Sequence, residues 1–227
     1  MNGQDVKFVV AVPAYMEEKR IGAVVRAVLR YADSVVVVDD GSGDRSAAEA
    51  EEAGAVVLRH PENRGKGAAV ETALEWAAAK GFECAITMDG DGQHAASDIP
   101  KFVDLFRRER PAAIVGNRMD DPAGMPFVRR MTNRYMSWLL SRRMGQRVPD
   151  TQNGFRLYRA DVIPLVACDT KRFAAESEIL IKLSLAGHRI ASVPTEVIYR
   201  DEKSKIRPFR DAMRFWAMLR RYPKRGT

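Results

Sequence analysis

Short apolar runs alternate with segments of helical spacing along the first half of the chain, and this alternation limits the fold more than any other feature. The apolar runs are too short for buried helices and rich in valine, isoleucine and alanine, so they predict strands. These strands are residues 7–12, 35–38, 55–58, 85–88 and 113–115. Helices are predicted between them at residues 17–31, 44–54, 67–80 and 98–108. Because strand–helix–strand crossovers are right-handed, the pattern predicts an α/β fold with a doubly wound, mostly parallel sheet.

After residue 115 the alternation weakens. The pattern predicts helices at residues 126–144 and 176–186, and strands at residues 155–158, 190–193 and 196–199. No linker, low-complexity tract or internal repeat interrupts the sequence. We therefore expect one domain over residues 1–205 and a basic amphipathic C-terminal helix within residues 206–227.

The composition is that of an ordinary globular protein, with 227 residues of which 46 % are hydrophobic and 30 % charged. It excludes collagen-like, disulfide-stapled and wholly disordered chains. Cys84 and Cys168 provide neither a disulfide framework nor a metal-ligand cluster, which favours a reducing compartment. No run approaches the ~18 apolar residues of a membrane span, and the N-terminus lacks the pattern of a signal peptide. We expect a cytoplasmic protein, associated at most peripherally with the inner face of a membrane.

Positive charge is concentrated at the C-terminal end. The whole chain carries a net charge of +7, and residues 200–227 alone contain ten basic and three acidic side chains, which is also +7. This concentration argues against nucleic-acid binding and favours a local anionic partner. The apolar side of the predicted C-terminal helix consists of Phe209, Ala212, Met213, Trp216 and Leu219. Such a helix suits an anionic membrane surface or packing on its own domain, and the sequence leaves both open.

Carboxylates follow two of the predicted strands. Asp39 and Asp40 come after the second strand, where they suit either a nucleoside or a turn with a helix N-cap, and the sequence does not separate these interpretations. Asp89 and Asp91 follow the fourth strand and are two residues apart, so an extended backbone directs both side chains the same way. Two oxygen ligands there suit Mg²⁺ or Mn²⁺ beside a diphosphate. Because parallel sheets bind ligands at this edge, we favour a metal site over an acidic turn.

Further polar groups lie outside these two motifs. Lys66 stands at a glycine-rich entry to a helix, close to where a phosphate could bind, although the spacing is not that of a P-loop. Residues 127–147 contain six arginines and no acid, which suits phosphate or a solvated helix face. Residues 150–156 are polar without a periodic reason. Glu176 and Glu178 could act as a base or an acceptor-orienting acid, or could simply cap a helix.

Five motifs, in order, resemble those of family 2 glycosyltransferases of the GT-A fold. They are residues 12–17, 39–42, 63–67, 89–94 and 116–118. The resemblance extends from about residue 6 to residue 205 and is closest to the dolichyl-phosphate mannose synthase group of polyprenyl-phosphate sugar transferases. It implies a Rossmann-like GT-A fold and a metal-dependent, inverting enzyme. The donor would be of the GDP-mannose or UDP-glucose type, and the acceptor a polyprenyl phosphate.

The resemblance implies roles for individual residues on the donor side. The nucleotide-sugar would be bound by Pro13, Tyr15, Glu17, Asp39, Asp40, Lys66, Asp89, Arg200 and Lys205. Of these, Asp40 would bind the nucleoside, with Asp39 beside it as the other candidate. The metal, Mg²⁺ or Mn²⁺, would be held by Asp89, Asp91 and Gln93. Asp91, Arg118 and Glu178 would be catalytic, with Arg118 reaching the donor phosphates or sugar.

On the acceptor side, the resemblance assigns Arg129 and Asn133 to the acceptor phosphate. Arg200, Ser204 and Lys205 match a mobile segment that closes over the diphosphate, and Ser204 is also assigned to the acceptor phosphate. The chain departs from the group at Ala95 and Ala96, where the synthases often carry prolines.

Competing functions remain. A hydroxyl acceptor would need a carboxylate base, whereas a phosphate acceptor is already anionic, and the arginine-rich residues 127–147 favour the phosphate. A haloacid-dehalogenase-type phosphatase also uses Asp-x-Asp after a strand, but on the first strand and with Thr or Val where this chain has Gln93. A sugar-nucleotide pyrophosphorylase would need a glycine-rich loop after the first strand. A membrane-binding module without enzymatic activity would leave the Asp-x-Asp motif unexplained.

Overall fold

The computed structural model describes residues 6–120, 125–165, 173–198, 215 and 219–222. The strands are β1 (Phe8–Ala14), β2 (Val35–Asp39), β3 (Val56–Arg59), β4 (Cys84–Thr87), β5 (Ala113–Asn117), β6 (Arg156–Arg159) and β7 (Ile190–Pro194). The α-helices are α1 (Ile21–Val28), α2 (Ser46–Glu52), α3 (Lys66–Ala79), α4 (Ile99–Glu109), α5 (Phe127–Met144) and α6 (Phe173–Leu185). Two 3₁₀ turns cover Ala96–Asp98 and Ala160–Leu165.

These strands form a seven-stranded sheet in the order β3–β2–β1–β4–β6–β5–β7. The predicted doubly wound, mostly parallel sheet is confirmed: only β6 runs antiparallel to its neighbours, β4 and β5. The sequence did not predict this insertion. Because β6 runs the other way, it begins at the edge where the parallel strands end. The loop before β6 therefore enters the edge at which such sheets bind ligands.

Alternate residues of each strand divide the core into two layers. Val9 and Ala11 of β1 pack in a layer with α3, α5 and α6, whereas Val10 and Val12 pack in a layer with α1 and α4. With both faces covered, the central strands are apolar along their whole length, which is why they appear as continuous runs in the sequence. Each fully buried Val or Leu contributes roughly 1.5–3 kcal/mol to burial free energy.

Some predicted boundaries shift. The helix predicted from residue 17 begins at Ile21, because residues 17–20 form a turn in which the Glu17 carbonyl accepts hydrogen bonds from the Arg20 and Ile21 amides. In the predicted strand 196–199, the described residues contribute only an isolated bridge between Val197 and His94. A single bridge does not make this segment a further strand of the sheet.

The described part of the C-terminal helix packs on the domain. Phe215 and Leu219 are each 4 % exposed and join the core layer that contains Leu140 and Met144 of α5. Both side chains therefore serve the packing interpretation that the sequence left open. No helix among the described residues combines the length and apolar character that crossing a bilayer requires.

Candidate active site

Polar groups converge where the parallel strands end. β1 ends at Ala14, β2 at Asp39, β4 at Thr87 and β5 at Asn117, all at one edge. Arg156, the first residue of β6, pairs with Thr87 and so belongs to the same edge. The sequence motifs that follow these strands are thereby brought together, as the topology predicts.

The loops after β1 and β2 are interlocked. The backbone amide of Met16 donates to Ser42 Oγ at 2.9 Å, and the amide of Glu17 donates to Ser46 Oγ at 2.7 Å. Met16 has a φ of 58°, a conformation that side-chain-bearing residues rarely adopt and that clusters at functional sites. Tyr15, predicted to border the nucleotide base, keeps 47 % of its surface exposed beside this strained residue.

The Asp40 carboxylate is hydrogen-bonded to groups of the protein itself. Its Oδ1 accepts hydrogen bonds from His60 Nδ1 at 2.7 Å and from the Arg64 amide at 2.9 Å, and its Oδ2 accepts from the Gly65 amide at 2.7 Å. Three of the roughly four acceptor positions of the carboxylate are thus filled. Asp40 therefore fixes the loop that leads into α3 and positions Lys66.

Asp39, by contrast, makes a single described side-chain hydrogen bond, which its Oδ1 accepts from the Ser42 amide at 3.2 Å. Of the two adjacent aspartates, Asp39 has the greater capacity left for a ligand. Gly41, between Asp40 and Ser42, has a φ of 73°, and a Cβ there would lie 2.5 Å from the Glu62 carbonyl carbon. The close approach of these two loops therefore requires glycine.

Lys66 lies between two carboxylates at the centre of the edge. Its Nζ is 2.6 Å from Asp89 Oδ1 and 2.9 Å from Glu176 Oε1. Burial favours the neutral amine, but the charges of Asp89 and Glu176 outweigh it and raise the pKa of Lys66 above its usual range. Lys66 is therefore a fixed positive charge at the predicted diphosphate site.

The two aspartates of the Asp-x-Asp motif differ in their surroundings. Burial alone would raise the pKa of Asp89, but Lys66 and His94 outweigh it and hold the pKa well below its usual range. At Asp91 burial and the charge of Asp89 outweigh the opposing effects of the Gln93 amide, His94 and Lys66, and they raise its pKa. Asp91 Oδ1 accepts a hydrogen bond from the Gln93 amide at 3.0 Å. Because the two carboxylates repel each other, a cation near both would be favoured.

The donor atoms fit a hard divalent ion whose coordination is completed by phosphate. Carboxylate oxygens from one or two side chains, with substrate phosphates, are how proteins commonly hold Mg²⁺. Among the described residues, no three Asp, Glu, His or Cys side chains form a complete metal site of their own. His94 Nε2 is buried without a hydrogen-bond partner in the described structure and lies 3.5 Å from Asp89 Oδ2. The residues at the edge therefore suit a divalent ion only if other ligands, such as phosphate oxygens, supply the rest of its coordination.

Gly154 lets the loop before β6 reach this group. A Cβ at this position would lie 2.8 Å from Lys66 Nζ and 3.0 Å from Asp89 Oδ1. Any larger side chain would displace one of the two charged groups. Neither this close approach nor the position of Glu176 could be predicted from the spacing of residues in the sequence.

Arg118 forms a buried pair with Asp150. Its Nε donates to Asp150 Oδ2 at 2.6 Å and its Nη2 to Oδ1 at 2.9 Å, which is the bidentate geometry of a strong charge-assisted contact. The pair joins the end of β5 to the loop before β6. Arg118 thus stands at the predicted edge, and Asp150, which the sequence marked only as part of the polar segment 150–156, fixes its orientation.

Behind the edge, Arg156 joins the loop before β6 to α6. Its side chain is completely buried and donates to the carbonyls of Asn153 at 2.6 Å, Thr151 at 2.8 Å and Glu176 at 2.5 Å. Charged side chains are almost never buried without such partners. One indication of this buried charge is present in the sequence, because Arg156 stands within the otherwise apolar residues 155–158.

The remaining predicted residues are distributed as follows. Asn133 is buried on the inner side of α5, with Arg129 one turn before it and half-buried. Glu178 is completely buried, and its Oε1 accepts a hydrogen bond from the Tyr222 hydroxyl at 2.6 Å and lies 3.2 Å from Lys182 Nζ. The helix acid that contacts Lys66 is therefore Glu176, not Glu178. The predicted positions Arg200, Ser204 and Lys205 lie outside the described residues.

Fold and site together define a glycosyltransferase of the GT-A fold. The structure matches glucosyl-3-phosphoglycerate synthase from Mycobacterium tuberculosis, crystallised with Mg²⁺ and uridine-diphosphate, with a TM-score of 0.70 over 97 % of this chain and 81 % of that one. At 20 % identity this likeness shows the fold alone. The sequence pattern of glycosyl transferase family 2 matches residues 9–164, so the chain belongs to that family.

Closer relatives are found by sequence. The chain is 33 % identical over 203 residues to the dolichyl-phosphate hexose transferase of Haloferax volcanii, covering 88 % of this chain and 86 % of the relative. It is 30 % identical over 213 residues to the UDP-N-acetylglucosamine–dolichyl-phosphate N-acetylglucosaminyltransferase of Methanococcus voltae, covering 84 % and 85 %. The resemblance drawn from the five motifs is confirmed at the level of the family.

Proposed function

We propose that the enzyme transfers a hexose from a nucleotide-diphosphate sugar to a polyprenyl phosphate, with inversion and with a divalent metal. The observation that carries the proposal is the placement of Asp89 and Asp91 beside Lys66 at the carboxyl edge of the sheet. The acceptor is supported by the two relatives whose names specify dolichyl phosphate. We further propose that the enzyme acts at the cytoplasmic face of a membrane, where such a lipid presents its phosphate.

Asp89, Asp91 and Gln93 would hold Mg²⁺ or Mn²⁺, for which their oxygen atoms are suited. When bound, the ion would neutralise the charge that develops on the departing diphosphate. Lys66 adds a second positive charge fixed at the same place, and Arg118 a third, oriented by Asp150. Arg200 and Lys205 are proposed to add to this group when the donor is bound. Tyr15 and Asp39 would contact the nucleoside.

The acceptor chemistry requires little from the protein. An oxygen of the acceptor phosphate forms a bond to the anomeric carbon on the face opposite the leaving group. The bond from that carbon to the diphosphate oxygen breaks, and the nucleoside diphosphate leaves with the electron pair. No proton needs to be removed, because the attacking oxygen is already anionic. Arg129, Asn133 and Ser204 would position the acceptor phosphate.

His60 and the two acids of α6 fit this absence of a base. His60 is held by Asp40 and by Thr72, whose hydroxyl oxygen is 3.0 Å from His60 Nε2. Glu178 is held by Tyr222 and Lys182. Of the two acids of α6, Glu176 is the one that reaches the site, and its Oε1 is paired with Lys66. It is therefore also the residue that would serve as base if the acceptor were a hydroxyl.

A product screen tests the proposal. Purified full-length protein is incubated with Mn²⁺, each of a panel of UDP- and GDP-sugars, and either polyprenyl phosphate or a set of hydroxyl acceptors, and products are identified by mass spectrometry. We expect a hexosyl-phosphoryl-polyprenol from one donor, lost on chelation and regained on adding metal. Transfer only to hydroxyl acceptors would replace the polyprenyl-phosphate assignment with the hydroxyl alternative. Absence of transfer from every donor would contradict the proposal.

A further inference from the structure

Helix α5 exposes an apolar surface. Five of its large hydrophobic side chains, Phe127, Val128, Met131, Tyr135 and Trp138, are between 49 % and 75 % exposed. They recur at intervals of three and four residues and so occupy one side of the helix, here named the outer face of α5. In the described structure only six other large hydrophobic side chains are comparably exposed, and no other helix carries more than one of them. A contiguous patch of this kind marks a contact surface.

The opposite side of the same helix is buried and partly polar. Asn133 and Ser137 are buried there together with Leu140 and Met144. The Ser137 hydroxyl lies 3.1 Å from Thr151 Oγ1 and accepts a hydrogen bond from the Thr151 amide at 2.9 Å. The helix is thus rotated so that polar groups face the protein and aromatic groups face outward. Its orientation is fixed by these inner contacts.

Charge indicates what the outer face contacts. Residues 127–147 carry six arginines and no acid. The Arg142 guanidinium lies 5.2 Å from the centre of the Trp138 ring, and the Trp138 and Tyr135 rings are 6.1 Å apart. Aromatic side chains flanked by arginines suit the headgroup region of an anionic bilayer, where the ring is amphipathic and the cation meets lipid phosphate.

A second copy of the chain fits this surface less well. A two-fold dimer places the same patch against itself, so the arginines of the two copies would face each other. Like charges brought together at an interface cost several kcal/mol. An anionic lipid surface has the complementary charge instead.

The inner contacts connect the outer face to the active site. Ser137 contacts Thr151, the Thr151 carbonyl accepts from Arg156, Arg156 donates to the Glu176 carbonyl, and the Glu176 side chain pairs with Lys66. The outer face is separated from this chain of contacts by the thickness of one helix, about 10–12 Å with side chains. A lipid headgroup at the outer face would therefore be one helix away from the site.

We propose that the outer face of α5 lies in the headgroup region of an anionic bilayer and holds the active-site edge against it. Delivery of a polyprenyl phosphate to that edge rests on the proposed function, whereas binding to the bilayer does not. The C-terminal helix, which the sequence suggested for this role, has Phe215 and Leu219 committed to the core.

Vesicle sedimentation of the full-length protein tests the binding. The vesicles are pure phosphatidylcholine or an equimolar mixture with phosphatidylglycerol. We expect binding to the anionic vesicles, weakened by salt, and a fall in partition of about tenfold or more in a Phe127→Gln, Met131→Gln, Trp138→Gln variant. Tyr31→Gln is the matched control, because Tyr31 is also an exposed aromatic but follows α1, at the other edge of the sheet. Its partition should equal that of the wild type.

Several results would overturn the proposal. One is equal sedimentation of the triple variant and the wild type, or no binding of the wild type to anionic vesicles. Another is a dimer in analytical ultracentrifugation that the triple variant abolishes without any change in vesicle binding. A third uses Trp138 as the only tryptophan, in a Trp76→Phe, Trp216→Phe background: brominated lipid should quench its fluorescence, and unquenched fluorescence in vesicle-bound protein would place it away from the lipid.

Activity distinguishes failure of the docking surface from failure of the proposed function. With a short, water-soluble prenyl phosphate, the triple variant should retain the turnover of the wild type, and with vesicle-embedded polyprenyl phosphate it should lose about tenfold. Equal loss on both acceptors would contradict a docking role. If the wild type uses neither acceptor, the proposed function fails, and the sedimentation result still decides the docking proposal.

Discussion

The proposed donor side and the proposed acceptor side of the site are held together by different kinds of contact. On the donor side, the loop after β2 is tied to the loop before α3 by the Asp40 carboxylate, which accepts from the Arg64 and Gly65 amides. On the acceptor side, the buried Arg156 side chain of β6 donates to carbonyls of the loop before β6 and to the Glu176 carbonyl of α6. The first side is therefore held by a carboxylate that accepts from backbone amides, and the second by a buried guanidinium that donates to backbone carbonyls.

Two helices also differ, in which of their side chains are buried and which are exposed. In α4 the aromatic residues Phe102 and Phe106 are completely buried and the charged residues face outward. In α5 the aromatic residues face outward and Asn133 and Ser137 are buried. The first arrangement serves the core, and we propose that the second serves a membrane. Variants on each side of the site should accordingly fail in different measurements.

The largest effect is expected on the donor side, from Asp91→Asn. Loss of one carboxylate from the proposed metal site should reduce transfer by about a thousandfold, with an unchanged melting temperature. Asp104→Asn, at an exposed aspartate of α4, is the matched control and should be fully active. Initial rates of product formation measure both. Turnover of Asp91→Asn within severalfold of the wild type would remove Asp91 from the catalytic site.

On the acceptor side, Arg156→Met should affect stability. It leaves the carbonyls of Asn153, Thr151 and Glu176 without their donor, and we expect the free energy of unfolding to fall by about 3 kcal/mol. Urea denaturation monitored by circular dichroism measures the change. The control is Arg108→Gln, which removes the same charge at an exposed position. Its free energy of unfolding should stay within about 0.5 kcal/mol of the wild type. Similar midpoints for the two variants would show that the buried network does not hold the acceptor side together.

The adjacent aspartates of the donor side should separate by measurement. Asp40→Asn should lower the free energy of unfolding by about 1–3 kcal/mol, because it loses acceptors for the loop before α3. Asp39→Asn should leave stability nearly unchanged and weaken nucleoside diphosphate binding. Thermal melts and calorimetric titration of each variant make the comparison. If Asp40→Asn weakened nucleoside diphosphate binding and Asp39→Asn lowered stability, Asp40 and not Asp39 would be the residue that contacts the nucleoside.

The smallest effect concerns Lys66, which occupies one oxygen of Asp89. In Lys66→Met that oxygen is released, so Mn²⁺ should bind the nucleotide-free protein about tenfold more tightly, while transfer becomes slower through loss of a positive charge. Electron paramagnetic resonance of free Mn²⁺ measures the binding. Lys101→Met, which removes a lysine paired with Asp98, is the control. Equal Mn²⁺ affinity in both variants would show that Lys66 does not compete with the ion.

The sequence predicted most of what is local. The strands, the helices up to α6 and the two aspartate motifs follow from apolar periodicity and from turn residues within a few positions. It could not place β6, because a four-residue strand does not specify its neighbours. It could not separate Glu176 from Glu178, because the rotation of α6 is set by packing against other elements. For the same reason it could not decide which side of α5 faces the protein.

The most direct test is a crystal grown or soaked with Mn²⁺ and a nucleoside diphosphate, measured at the manganese absorption edge. The account predicts an anomalous peak beside the Asp89 and Asp91 carboxylates, in contact with the diphosphate. A nucleotide bound away from that edge, or an anomalous peak at other side chains, would contradict it.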